Sequence, residues 1–168
     1  VHQVLVDLVG DREQVVLGSQ RDGPDLGEDD RHEPAARGLR EPVRSLLRGL
    51  EERRRGRELE SVAFFNQAIE LDHEFASAYA MLSTVYGSLG EWRRSEEYAR
   101  LAYVLRSRVS ERERLFITYQ YHDRVTGNQE EAASTLELWK AAYPRESRPV
   151  NALALIHHRM GRHAEAVA

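Results

Sequence analysis

Histidine is the residue type in this chain that most invites a chemical role, because the chain has seven histidines and no cysteine. Three of them, His157, His158 and His163, lie close together in the sequence. Zinc needs three or four ligands that converge on one point. Adjacent residues of a helix point about 100° apart, and Gly161 separates His163 from the other two. We therefore predict that the chain binds no metal and no cofactor.

Catalytic motifs are the next candidates for chemistry. Residues 121–124, Tyr-His-Asp-Arg, contain the residue types of the protein-kinase catalytic loop, but in a scrambled order. The sequence contains no glycine-rich phosphate loop and no Gly-x-Ser-x-Gly nucleophile elbow. Its aromatic residues recur at helical spacing, which is more typical of a helical core than of a cofactor site. We therefore predict no catalytic residues and no enzyme activity.

Composition and charge exclude two classes of partner. The chain has 168 residues, long enough for one domain with a sizeable core, and its net charge is −4. That charge falls within residues 1–47, which hold ten acidic residues and six arginines, so the remainder is neutral. A neutral repeat region predicts no nucleic-acid binding. No apolar run reaches about 18 residues, which predicts no membrane partner, and no signal peptide is recognisable, so we expect a cytoplasmic location.

Amphipathic helices are the elements that must position any functional side chain. Residues 76–109 contain two apolar stripes with steps of three and four residues, separated by Gly90. A glycine at that point tolerates the positive φ at which helices commonly stop. The first stripe is Tyr79, Leu82, Val85, Tyr86 and Leu89, and the second is Trp92, Ser95, Tyr98, Ala99, Leu101, Ala102 and Leu105. The stretch predicts a helical hairpin.

The hairpin pattern recurs along the chain. Glycines recur at separations of 34, 37 and 34 residues, and a small residue follows each of them five positions later. The glycines are Gly56, Gly90, Gly127 and Gly161, and the small residues are Ser61, Ser95, Ala132 and Ala166. This pattern resembles the tetratricopeptide repeat (TPR), whose period is 34 residues. Pro144 lies at the slot where TPRs usually have a helix-ending proline.

The resemblance implies an all-α fold, a right-handed α-solenoid of helical hairpins. We expect about 3.5 repeats over residues 43–168, bounded as 43–75, 76–109, 110–146 and 147–168. The last stops within its second helix, so we expect the chain to be a fragment of a longer array. Self-association through this truncated repeat is a further expectation.

The N-terminal part departs from the pattern. Residues 1–42 contain a weak strand signal, and residues 18–38 have few large apolar groups, so we expect a poorly structured or spurious segment. In the first repeat, Arg48 occupies the slot of Leu82 and Glu52 the slot of Tyr86. This pattern indicates either a degenerate capping helix or a frameshifted translation of residues 1 to about 47.

The connection between the second and third repeats contains two features. Ser110 and Glu113 have the spacing of a capping box, in which each side chain bonds the backbone N–H of the other residue. The distance from Gly90 to Gly127 is three residues longer than the usual period. We expect these extra residues to lengthen the connection without breaking the stacking.

In TPR proteins the first helices of successive repeats line a concave groove that accepts a peptide, so the resemblance implies a protein-interaction scaffold. By register, the groove slots are Ser77, Ala80, Thr84, Gly87, Ser88, Arg114, Ile117, Tyr121, Arg124, Val125, Arg148, Asn151, Leu155, His158 and Arg159. Four of these are arginines and none is acidic. We therefore expect an acidic peptide partner with an apolar anchor, which Ile117, Tyr121 and Leu155 would hold.

An alternative function rests on residues 110–124. This segment is similar to TPR arrays that follow bacterial serine/threonine kinase or winged-helix domains. The resemblance implies a regulatory tail of a larger bacterial signalling protein. The lysine and asparagine clamp of chaperone-binding TPR domains is absent, since Ala80 and Thr84 occupy its slots in the second repeat.

Overall fold

The computed structural model describes residues 40–162, and this part of the chain is all-helical, without a strand. Its α-helices are α1 (Glu41–Arg54), α2 (Glu58–Leu71), α3 (Ala76–Ser88), α4 (Trp92–Val104), α5 (Glu111–Tyr121), α6 (Gln129–Ala142) and α7 (Ser147–Arg159). A 3₁₀ turn spans Arg106–Arg108, and a π-helical turn, His122–Thr126, continues α5. The predicted all-α solenoid is confirmed. The predictions for residues 1–39 and 163–168 lie outside the described residues, and self-association through the truncated repeat stays a prediction.

The four registered glycines end the first helix of each hairpin. All four have positive φ, between 65° and 77°, a backbone region that is strained for residues with a Cβ. The chain therefore reverses at each of them and places α2, α4 and α6 antiparallel to α1, α3 and α5.

The second helices turn one stripe of each repeat toward the core. Three slots, at 5, 9 and 12 residues after the glycine, are no more than 1% exposed in each of the three complete hairpins. Their occupants are Ser61, Phe65, Ala68, Ser95, Ala99, Ala102, Ala132, Leu136 and Trp139. Equal burial at equal slots shows that the repeat register is the structural register.

The core is divided into three apolar clusters that follow the chain. One lies among α1, α2 and α3, the next among α3, α4 and α5, and the last among α5, α6 and α7. Each first helix therefore contacts both helices of the hairpin before it. This nearest-neighbour packing is the organisation of a solenoid.

The first repeat has a regular first helix despite its unusual residues. Helix α1 begins at Glu41 and buries Val43, Ser45, Leu46 and Gly49. In the second repeat, Leu82 packs against α1 and α2 of the hairpin before it. Arg48 occupies the same slot of α1, on the side where a first helix contacts the hairpin before it, and it is exposed there. A charged residue at this slot is compatible with a well-packed helix.

The three extra residues of the third repeat are distributed differently from the prediction. Helix α5 starts 16 positions before Gly127, whereas α3 and α7 start 14 positions before their glycines. Two of the extra residues therefore lie inside the first helix, and only one lengthens the connection. The helix accommodates the additional length as the π-helical turn His122–Thr126, because a π turn takes more residues than an α turn.

Candidate partner-binding surface

The predicted groove residues of α3 pack against α5 instead of lining an open surface. Ile117 is 1% exposed and lies in one cluster with Ala76, Ala80 and Ala102. The prediction that Ile117 forms a groove floor is therefore wrong. The small side chains of α3 allow α5 to come close enough to seal this part of the groove.

Polar contacts continue the same interface. Gln120 donates from Nε2 to the Thr84 hydroxyl over 2.7 Å, and Thr84 donates to the Ala80 carbonyl over 3.0 Å. Two helical turns away, the Ser77 hydroxyl donates to the Glu113 carboxylate. Thr84 is half-buried, and its hydroxyl has two hydrogen-bond partners within the protein. Its contact with Gln120 ties α3 to α5.

Arg124 is half-buried, and its guanidinium contacts the protein interior rather than an open groove. Its Nη1 lies 2.8 Å from the Ser95 hydroxyl and 3.1 Å from the Ser83 hydroxyl, and also donates to the Ser83 carbonyl. A Cβ on Gly87 would lie 2.8 Å from the same nitrogen, so the guanidinium fills the space that this glycine leaves. Burial lowers the pKa of Arg124, because the charged form loses hydration. The expectation that Arg124 holds a ligand carboxylate is corrected.

Tyr121 is directed toward the preceding hairpin. Its ring stacks on that of Tyr103, with the centroids 3.8 Å apart and the planes 10° from parallel. The Arg106 guanidinium also lies 3.8 Å from the centroid of the Tyr103 ring, and the edge of His122 contacts both tyrosines. This aromatic cluster joins α4 to α5, and it leaves Tyr121 half-buried.

Six of the predicted site residues remain exposed, and five of them lie on α7. They are Arg114, Arg148, Asn151, Leu155, His158 and Arg159. The α7 residues recur at steps of three and four, which places them along one helical face. Leu155, in the middle of this face, is 52% exposed. We call these six residues the α5–α7 surface.

The cations of the α5–α7 surface are held by neighbours within the fold. Arg114 pairs with Glu111 at 3.2 Å, and the Arg148 guanidinium lies 5.5 Å above the Phe116 ring. Arg159 lies 2.9 Å from the Asp123 carboxylate, whose side chain is only 8% exposed. The surface thus combines three exposed arginines, each with a partner in the fold, and one exposed leucine.

The remaining groove slots are divided between surface and interior. Ser77, Ala80, Gly87 and Val125 are buried or half-buried, and Ser88 is exposed. The sequence interpretation missed Gln120 and Asp123, two polar residues that the fold buries. Gln120 follows the core residue Ser83 by the same 37 residues that separate the two glycines, so its position in the register could have indicated burial.

Two classes of site are not found in residues 40–162. No group of three or more histidine, aspartate or glutamate side chains there is arranged to hold a metal ion. No helix in that range is long and apolar enough to cross a membrane.

Comparison with known proteins supports the fold. No protein-family model and no curated protein matches the chain. Among solved structures, the crystal structure of MamA matches with a TM-score of 0.50 and 18% identity, over 79% of this chain and 75% of that one. At this level of identity the likeness concerns the fold alone, and it supports a TPR-type helical repeat.

Proposed function

We propose that this protein is an interaction scaffold that binds a partner protein or peptide through the α5–α7 surface. The proposal starts from the fold, since solenoids of this type present extended surfaces to partners. The observation that carries it is the exposed face of α7, where Leu155 lies between Asn151 and His158. A half-exposed leucine with polar neighbours has the anatomy of an interaction surface, an apolar centre with a polar rim.

The charge of this surface favours an acidic partner with an apolar anchor. Arg114, Arg148 and Arg159 are exposed, and the leucine lies on the same helical face as the latter two. Guanidinium groups bind carboxylates through paired N–H donors, which give geometric specificity as well as affinity. Since Ile117 is buried and the half-buried Arg124 bonds to α3 and α4, the proposed site is smaller than the groove that the sequence suggested, and it excludes α3.

Peptide binding tests the proposal. We expect a Glu-rich peptide with one leucine to bind more tightly than the same peptide with lysine replacing glutamate. Its affinity should fall as salt rises, because exposed charge pairs are screened over about 8–10 Å near physiological ionic strength. Arg114→Glu should weaken binding by about three- to tenfold, since one favourable pair becomes a repulsive one.

The chain contains a matched control for this variant. Arg100 on α4 is as exposed as Arg114, with side-chain exposures of 54% and 53%, and each is paired with a glutamate on its own helix. Arg100→Glu therefore makes the same change in net charge away from the α5–α7 surface. Equal weakening by both variants, measured by titration calorimetry, would show that binding responds only to net charge and would refute the proposed site.

The second candidate is a regulatory tail of a bacterial kinase or transcriptional regulator, as the similarity of residues 110–124 suggests. Helix α5 begins within this segment and contributes Arg114 to the surface. A partner domain within a longer chain would use the same contacts as a separate peptide. Fusing such a domain to this chain and measuring competition with the acidic peptide would distinguish the two candidates.

A further inference from the structure

The π-helical turn His122–Thr126 places two consecutive charged residues at two different repeat interfaces. Asp123 lies next to α7 of the following repeat, and Arg124 lies between α3 and α4 of the preceding one. The turn is present in the first helix with two additional residues and absent from α3 and α7. Single π turns within α-helices often mark functional positions, so this one calls for a physical explanation.

Arg124 makes the contact with the preceding repeat. The hydroxyls of Ser83 and Ser95 each donate to the other residue's carbonyl over 2.8 Å, which joins α3 to α4. Arg124 adds its guanidinium to this pair and bonds both hydroxyls. Gly87 provides the required space, since a Cβ there would crowd the guanidinium. Three helical segments therefore meet at one half-buried cation.

Asp123 makes the contact with the following repeat. Its Oδ1 lies 2.9 Å from Nη1 of Arg159, the last residue of α7, and its Oδ2 lies 4.0 Å from Nε of Arg124. The carboxylate thus stands between two guanidinium groups that belong to different interfaces. If this buried carboxylate lost one guanidinium partner, its negative charge would be less well neutralised. It would then interact more strongly with the other guanidinium.

We propose that Asp123 and Arg124 form an inter-repeat clamp, which couples the α3–α4 hairpin to α7 across the third repeat. In an ordinary solenoid each repeat stabilises only its neighbours. The clamp adds an electrostatic connection that runs through Asp123 and Arg124 of the third repeat and links the hairpins on either side of it. Loss of a contact at α7 therefore loosens the α3–α4 hairpin, although the two do not share that contact.

Native-state hydrogen exchange of the full chain tests this coupling. Arg124→Met removes the cation while keeping a long side chain. We expect amide exchange in α3 and α4 to accelerate by about tenfold, because these helices lose their hydrogen bonds to a charged group. Arg159→Met is the decisive variant, because it lies at the exposed end of α7. We expect it to accelerate exchange in α3 and α4 by about threefold, as for coupled sites.

Arg162→Met is the matched control, since Arg162 pairs with Glu130 of α6 at 2.6 Å outside the clamp. It should leave exchange in α3 and α4 unchanged. Asp123→Asn should also accelerate exchange in α3 and α4, as Arg159→Met does, but without removing an arginine. If Arg159→Met and Asp123→Asn change exchange only in α7 and the π-helical turn, the clamp does not transmit between repeats and the proposal fails.

Discussion

At the scale of single residues, three arginines near the α5–α7 surface have different environments. Arg124 is half-buried against two serines, Arg159 is exposed but paired with the buried Asp123 carboxylate, and Arg114 is exposed beside Glu111. A charge in a buried site depends on its partners for its stability, whereas an exposed pair contributes little. Only the exposed arginines are therefore available to a ligand.

Tyr119 provides a test of the electrostatics around the clamp. Its pKa is raised by burial first and then by the negative charge of Asp123. A raised pKa means that folding favours the neutral phenol, so this stability is fully present below the ordinary tyrosine value of about 10 and is lost as pH rises above it. We expect Tyr119→Phe to lose less thermal stability than the wild type between about pH 9.5 and 11.

A second tyrosine contributes to the same alkaline loss. Burial also raises the pKa of Tyr98, so Tyr119→Phe should remove only part of the effect. The double variant with Tyr98→Phe should reduce it further. Identical slopes of melting temperature against pH in the wild type and the double variant would contradict the assignment.

At the scale of elements, the start of α5 depends on its capping box, which the structure confirms. The Ser110 hydroxyl accepts from the Glu113 N–H, and the Glu113 carboxylate accepts from the Ser110 N–H. The same carboxylate also accepts a hydrogen bond from Ser77 of α3. The cap therefore fixes the start of α5 and its position against the preceding repeat together.

Ser110→Ala should destabilise the protein by about 1 kcal/mol, because the first turn of α5 loses a bond to an otherwise unpaired N–H. The midpoint of urea unfolding measures this change. Ser88→Ala is the control, since the Ser88 hydroxyl donates to the Thr84 carbonyl within α3 and caps no helix. A shift in Ser110→Ala no larger than in Ser88→Ala would show that the cap contributes no stability.

At the scale of the whole molecule, close approach of successive hairpins depends on small residues. Ala102 of α4 lies with Ala76, Ala80 and Ile117 where three helices meet, and it is completely buried. Ala102→Leu should overpack this cluster and lower the free energy of unfolding by roughly 1–3 kcal/mol. Ala141→Leu, on the exposed side of α6, is the control and should change stability by no more than about 0.5 kcal/mol. Equally small changes in stability for the two variants would mean that the cluster accommodates a leucine at position 102 without overpacking.

The sequence by itself determined the helices, the hairpins and the repeat register. These features depend on interactions within a few residues: apolar side chains at helical spacing, glycines that tolerate positive φ, and a capping box. All four registered glycines have the expected positive-φ backbone conformation, and a helix lies on each side of the first three. The buried slots follow as well, because the same positions of each repeat face the same neighbour.

Only the tertiary structure decided which groove slots are open. A register map treats the first helices as equally spaced, so it predicts the direction of a side chain but not the distance to the next helix. Here the small residues of α3 allow α5 to approach closely, which buries Ile117. The π-helical turn takes up two extra residues within the helix and brings the Arg124 guanidinium against Ser83 and Ser95. Both outcomes depend on contacts between residues about 30 to 40 positions apart in the chain, and periodicity within a single repeat contains no information about such contacts.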